Sequence, residues 1–152
     1  MTIIAGFQVK DGILLCSDTE WSGGSKVYQE KIFSHFFRGG AVSFALAGSE
    51  ANGKMAIQDC RAALDLGRKR SYTVKEVRAI IRRAVRSIHE GYVDSRPADE
   101  KDAARFELMV AFALKSGARE LLATSGPSVY PVDKFRCLGS GWYVGNHIIE
   151  AA

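Results

Sequence analysis

Cysteine is scarce in this chain: Cys16, Cys60 and Cys137 are the 3 among 152 residues. They are odd in number, widely spaced and free of any C-x-x-C pair. That excludes a disulfide framework and a zinc ribbon, and it points to reduced thiols in a cytosolic compartment. Proline is equally rare, at 3 residues, which excludes proline-rich linkers and polyproline ligands. No apolar run approaches the roughly 20 residues of a membrane helix. Met1-Thr2-Ile3 carries no basic n-region, and Lys10-Asp11 follows too soon for a signal peptide. The reading is therefore a cytoplasmic protein. No internal repeat or low-complexity tract is present.

Charge of neither sign dominates. Lys plus Arg number 21 against 17 Asp plus Glu, a net +4, which favours solubility without marking a nucleic-acid binder. Arg68-Lys69-Arg70 and the arginines at 78, 82, 83 and 86 read as a solvated face or a subunit contact, because no nucleic-acid motif accompanies them. His35, His89 and His147 share no ligand spacing with the cysteines, and Gly23-Gly24 and Gly39-Gly40 lack a Walker pattern. No metal, cofactor or membrane partner is expected.

What is present is an ordinary globular composition, 47% hydrophobic with 15 glycines, long enough for one domain over residues 1–152 with its own core. Ile3, Ala5, Phe7 and Val9 alternate as a strand does; Asp11-Gly12 signals a hairpin, and Ile13–Cys16 returns. Further extended segments are read near 26–28, 31–37 and 41–47. Ser49 caps a helix over 50–66 that stops at Gly67. Thr73-x-x-Glu76 is a capping box, followed by Val77, Ile80, Ile81, Ala84, Val85 and Ile88 at helical spacing. Residues 91–105 read as a loop. Strands resume at 107–114, 120–124 and 129–132; Cys137–Gly141 reads as a small-residue loop, and 143–152 as a helix. Strand and helix runs segregate, which is the α+β pattern.

Candidate chemistry begins at Thr2. A hydroxyl is a weak nucleophile at neutral pH, but removal of Met1 would leave an α-amine beside it, with an unperturbed pKa of about 7.7–8.0, able to act as local base. Counting back from the Asp11-Gly12 turn places Asp18 near the level of Thr2. A carboxylate there could hold a lysine such as Lys31, and a nearby cation would keep the amine neutral. The plainer alternatives stay open on residue type alone: a trimmed terminus entering a strand, a loop-capping Asp18, a surface Lys31, and Ser140 in a Gly-flanked turn.

Thr2-Ile3-Ile4-Ala5-Gly6, Lys10-Asp11-Gly12 through Ser17-Asp18, Lys31-Ile32, Ala47-Gly48-Ser49 and Leu138-Gly139-Ser140-Gly141 together resemble proteasome β-type subunits of the simpler bacterial branch. The resemblance runs along almost the whole chain in order. It implies an N-terminal nucleophile hydrolase with an αββα four-layer sandwich, cut short inside its third long helix so that the C-terminal part is missing. It implies a threonine peptidase in which Thr2 is the nucleophile, Asp18 orients Lys31, Lys31 tunes the Thr2 amine, and Ser140 hydrogen-bonds near that amine. A backbone amide of the Ala45–Gly48 stretch would serve the oxyanion, Gly48 by residue type or Ala45 by spacing. Implied partners are identical or related subunits in a ring, unfolded polypeptide as substrate and an ATPase unfoldase. The alternative is a non-catalytic or degenerate structural subunit of such a ring.

Overall fold

The computed structural model describes residues 2–23, 25–67 and 71–151. Met1, Gly24, Arg68–Arg70 and Ala152, on which parts of the sequence reading fall, lie outside the described residues.

The first hairpin forms as its pattern requires. β1 (Ile4–Val9) and β2 (Gly12–Ser17) pair antiparallel from Val9↔Gly12 to Ile4↔Ser17, so the two-residue turn is Lys10-Asp11. β3 (Glu20–Gly23) and β4 (Ser25–Tyr28) form a second hairpin where the sequence suggested mostly loop. β5 (Ile32–Phe37) and β6 (Gly40–Gly48) open a five-stranded antiparallel sheet, completed by β7 (Phe106–Leu114), β8 (Arg119–Ser125) and β9 (Ser128–Pro131) in that spatial order. β10 (Phe135–Leu138) pairs with β1 rather than with its predecessor, making a three-stranded sheet β10-β1-β2.

Side-chain size sorts the two faces of the larger sheet. Along β6, Val42, Phe44 and Leu46 join one cluster, whereas Ala45 and Ala47 join the other. On β7 the same alternation sends Phe106, Leu108, Val110 and Phe112 one way and Met109 with Ala111 the other. The bulky face is covered by helices α1 (Glu50–Leu66) and α2 (Val74–Ile88), through Ile57, Cys60, Leu64, Val77 and Ile81. Each fully buried aliphatic side chain there contributes about 1.5–3 kcal/mol relative to exposure. The small face lets the three-stranded sheet approach closely: a Cβ on Gly6 would stand 2.8 Å from Leu121 Cδ1 and 2.9 Å from Met109 Cγ, so a larger residue there would have to displace both side chains.

Both helix starts follow their caps. Ser49 accepts from the Asn52 amide, and Thr73 with Glu76 closes the reciprocal capping box. Residues 89–104 are not a plain loop. The chain leaves α2 through one π-helical turn (His89–Val93), closed by the Asp94 amide donating to the His89 carbonyl at 2.8 Å, and adds a short α3 (Lys101–Ala104).

The αββα four-layer sandwich expected from the sequence is not the architecture. Among the described residues the fold is two packed antiparallel sheets, a separate hairpin and four α-helices. Among the described residues, the outer side of the three-stranded sheet carries only α4 (Trp142–Glu150), and none of its residues is buried. A helix layer forms where an apolar stripe is removed from water. Here Leu14 on that side stays 52% exposed and Ile148 of α4 62%. No helix among the described residues is long and apolar enough to cross a membrane.

Candidate active site

The hairpin register carries Asp18 to the start of β1. Asp18 donates its amide to the Ile3 carbonyl at 3.1 Å, and its Oδ1 accepts from the Ile3 amide at 3.3 Å. Asp18 therefore sits beside Ile3, one residue from the position that counting suggested, and its side chain reaches under Thr2. Lys31 enters from the other side, directly before β5. Its carbonyl accepts from the Leu46 amide at 2.9 Å, tying it to β6. The Lys31 side chain is fully buried, at 0% exposure, and its Nζ donates to Asp18 Oδ1 at 2.9 Å and to Thr2 Oγ1 at 3.3 Å. A lysine is almost never fully buried unless it is paired, because its ammonium loses its hydration. The Asp18 carboxylate, 30% exposed, supplies that pairing.

The third side of Thr2 is formed by the turn after β10. Thr2 donates its backbone N–H to Ser140 Oγ at 2.9 Å, and the Gly141 amide donates to the Thr2 carbonyl at 3.0 Å. Gly139 has φ +90°, and a Cβ there would stand 2.5 Å from the Thr2 carbonyl oxygen. Both facts demand glycine. Thr2, Asp18, Lys31 and Ser140 thus converge in one place. Of the two backbone candidates for an oxyanion donor, Gly48 lines the same cleft as Thr2, whereas Ala45 is sealed inside β6 at 0% exposure.

A residue the sequence reading missed closes the site from below. Glu107 Oε2 accepts from the Gly139 amide at 2.7 Å, fixing the turn that holds Thr2. Its signal in the sequence was available, since Glu107 is the lone charge in the otherwise apolar run Phe106–Leu114. His89 was also passed over. It is 2% exposed, stacks on Phe106 with ring centroids 4.7 Å apart, and its Nε2 has no hydrogen-bond partner among the described residues. A buried nitrogen left unpaired costs about 1–3 kcal/mol. Burial pushes the His89 imidazole below its ordinary pKa, with nearby Asp94 opposing and Arg105 reinforcing the shift.

Thr2, Gly48, Glu107, Ser140 and His89 all border a cleft of about 1110 Å³. That is large enough for a peptide segment of several residues. Among the described residues, no group of three or more His, Cys, Asp or Glu converges as a metal site would require.

Taken together, the class defined so far is a pair of packed antiparallel sheets with a buried lysine bridging a strand-start threonine and a strand-end carboxylate. Among the solved structures with this fold are Anbu proteins. The chain matches an Anbu (Gly-1) mutant from Hyphomicrobium sp. strain MC1 at TM-score 0.78 and 13% identity over 100% of its own length. It matches Anbu (ancestral beta-subunit) from Yersinia bercovieri at 0.77 and 14%, and the Anbu complex from Pseudomonas aeruginosa at 0.75 and 16%, each over 99% of its length. It spans 65% of the length of each of those chains. No family model matches the sequence, and no curated protein does. At such identities the likeness establishes the fold. It also corrects the resemblance to proteasome β-type subunits: the similar structures named above are Anbu proteins, one of them described as an ancestral beta-subunit. The short segments that carried the resemblance report a local arrangement around Thr2, which does not by itself assign a family.

Proposed function

We propose that this chain is a threonine-type peptidase subunit of an Anbu-like assembly, acting through Thr2 once Met1 has been removed. The observation that carries the reading is Lys31: fully buried, with one ammonium shared between the Asp18 carboxylate at 2.9 Å and the Thr2 hydroxyl at 3.3 Å. A purely structural lysine has no need of a hydroxyl at a chain start, whereas an N-terminal nucleophile needs a cation there. In this reading the freed Thr2 amine takes the proton from Oγ1 as Oγ1 attacks the peptide carbonyl carbon. The proton passes to the leaving amine, and the acyl ester is then hydrolysed by water. Lys31 stabilises the developing alkoxide and keeps the amine neutral, Asp18 holds Lys31 in place, and Ser140, already bonded to the Thr2 nitrogen, positions that base. The access of Gly48 to the cleft supports it over Ala45 as oxyanion donor. The helical assembly described for the Pseudomonas aeruginosa protein supports copies of this chain as its partners.

Intact mass before and after treatment with a peptide epoxyketone tests the reading. That reagent closes a ring on both the hydroxyl and the free amine of a terminal threonine. Loss of Met1 with a single adduct, absent in Thr2→Ala, is expected. A trimmed chain that forms no adduct would establish a structural subunit instead, and a retained Met1 would block the amine altogether.

A further inference from the structure

The protein is net basic, at +4, yet its cleft is not. Glu50, Asp94, Asp102 and Glu107 line it, against the single guanidinium of Arg105. Arg105 is already engaged by Asp102 at 2.8 Å, and Glu50 by Lys54. Asp94 and Glu107 therefore leave the cleft wall with uncompensated negative charge, and a concave site with low-dielectric walls focuses that field. An independent feature stands at the same wall. His89 opens the π-helical turn, a geometry that is rare in helices and frequent at functional sites. Its Nε2 is the buried polar atom of this wall without a partner among the described residues. Desolvation favours its neutral form, so it does not offset the carboxylates.

We propose that the His89–Asp94 end of the cleft is a subsite for a cationic side chain of the substrate peptide, lysine or arginine. The carboxylates attract the cation, and an N–H donor entering beside the π-helical turn is the group that would satisfy His89 Nε2. Phe106 and Glu107, consecutive on β7, join this end to the Thr2 end: Phe106 stacks on His89, and Glu107 holds Gly139. This inference names the substrate class of the proposed peptidase and so rests on that reading, but binding is separable from turnover.

The experiment therefore uses the full chain carrying Thr2→Ala, with fluorescence anisotropy of two labelled peptides, one bearing arginine and the other citrulline at the same position. The arginine peptide is expected to bind about tenfold more tightly at low salt, with the difference shrinking as salt rises. Asp94→Asn should remove most of the difference, and Asp102→Asn should reduce it as well by freeing Arg105 to offset one carboxylate of the wall. His89→Gln, which keeps a polar side chain of similar reach, should weaken the arginine peptide more than the citrulline one. Equal binding of the two peptides, or an arginine preference untouched by Asp94→Asn and Asp102→Asn in folded protein, would overturn the subsite. Epoxyketone labelling of the parent chain reads the nucleophile separately. Labelling without a charge preference removes only this inference, and a charge preference without labelling removes only the peptidase.

Discussion

Replacing Lys31 with methionine separates the chemical use of this buried cation from its structural use. The stem volume is kept, so the change deletes charge and three N–H donors without opening a large cavity. Two losses follow. The Asp18 carboxylate loses its 2.9 Å partner, but it is 30% exposed and still accepts from the Ile3 amide. The stability cost is therefore about 1–3 kcal/mol, below the roughly 3–5 kcal/mol of a fully buried pair broken on one side. The Thr2 hydroxyl loses the ammonium 3.3 Å away. If that ammonium supports proton transfer and alkoxide stabilisation, turnover should fall about 10²–10⁴-fold, or roughly 3–5 kcal/mol of barrier. Urea denaturation and peptidase or epoxyketone kinetics on the same preparations give the two numbers. Pairing Lys31→Met with Asp18→Asn should restore much of the stability and none of the activity. A Lys31→Met protein that reacts within threefold of the parent would refute the role given to Lys31. Rescue of activity by the double variant would refute the division between the two losses.

Three further outcomes are expected. Gly139→Ala places a methyl 2.5 Å from the Thr2 carbonyl at a φ of +90°; it should destabilise by about 1–3 kcal/mol and shift Thr2, lowering kcat more than it changes KM, and unaltered kcat would contradict the tight seat drawn for Thr2. His89 titrates below its ordinary value of 6.5 when folded, so the unfolded chain binds more protons as pH falls through that value; stability should decline from about pH 7 toward the lowered folded value, and the His89→Phe variant should lose that slope while keeping the Phe106 stack. Thiol titration of native protein should find one fast cysteine: Cys16 is exposed, whereas Cys60 is buried with its thiol pushed up to about 12, chiefly by desolvation and then by Asp59, and Cys137 is buried and raised as well. Fast modification of two or three thiols would mean that the helix-covered core around Cys60, or the contact of Gly145 with Cys137, opens readily.

The parts of the site legible in the sequence are those set by local geometry. The Lys10-Asp11-Gly12 signal marks the hairpin, and once Lys10-Asp11 forms its two-residue turn the register of β1 against β2 follows residue by residue, bringing Asp18 beside Ile3. The caps at Ser49 and Thr73 were legible for the same reason, each being a hydrogen bond across three residues. Where the partner is remote, the pattern went silent. Phe135–Leu138 is four residues long and its last two fall in the Cys137–Gly141 stretch that reads as loop; it becomes β10 only because β1 offers a free edge some 130 positions earlier in the chain. Glu107 is an ordinary strand residue until Gly139 donates to it across 32 positions. His89 became notable only when its nitrogen was found unpaired under Phe106.

The same distinction explains why the layer count and the family were misread while the residues around Thr2 were brought together. A threonine at a strand start, an acid at the end of the hairpin partner and a lysine before the next strand meet a local demand: a buried ammonium needs a carboxylate, and both need fixed backbone. Several chain architectures can meet that demand, so satisfying it says little about what covers the far face of the sheet. Whether a fourth layer forms depends on apolar area removed from water over long distances. Here α4 buries none of its residues, while the sheet beneath it turns Ile4, Ile13, Leu15 and Leu138 inward onto the small-residue face of the second sheet. The small-face, large-face alternation of β6 and β7 is thus the better index of architecture. It fixes two sheets in close contact with the buried α1 and α2 layer on one side, and it makes the seat of Thr2 a property of the sheet–sheet contact. A substitution that separates the sheets, such as Gly6→Val against Leu121 and Met109, should therefore disturb Thr2 as surely as a change beside it.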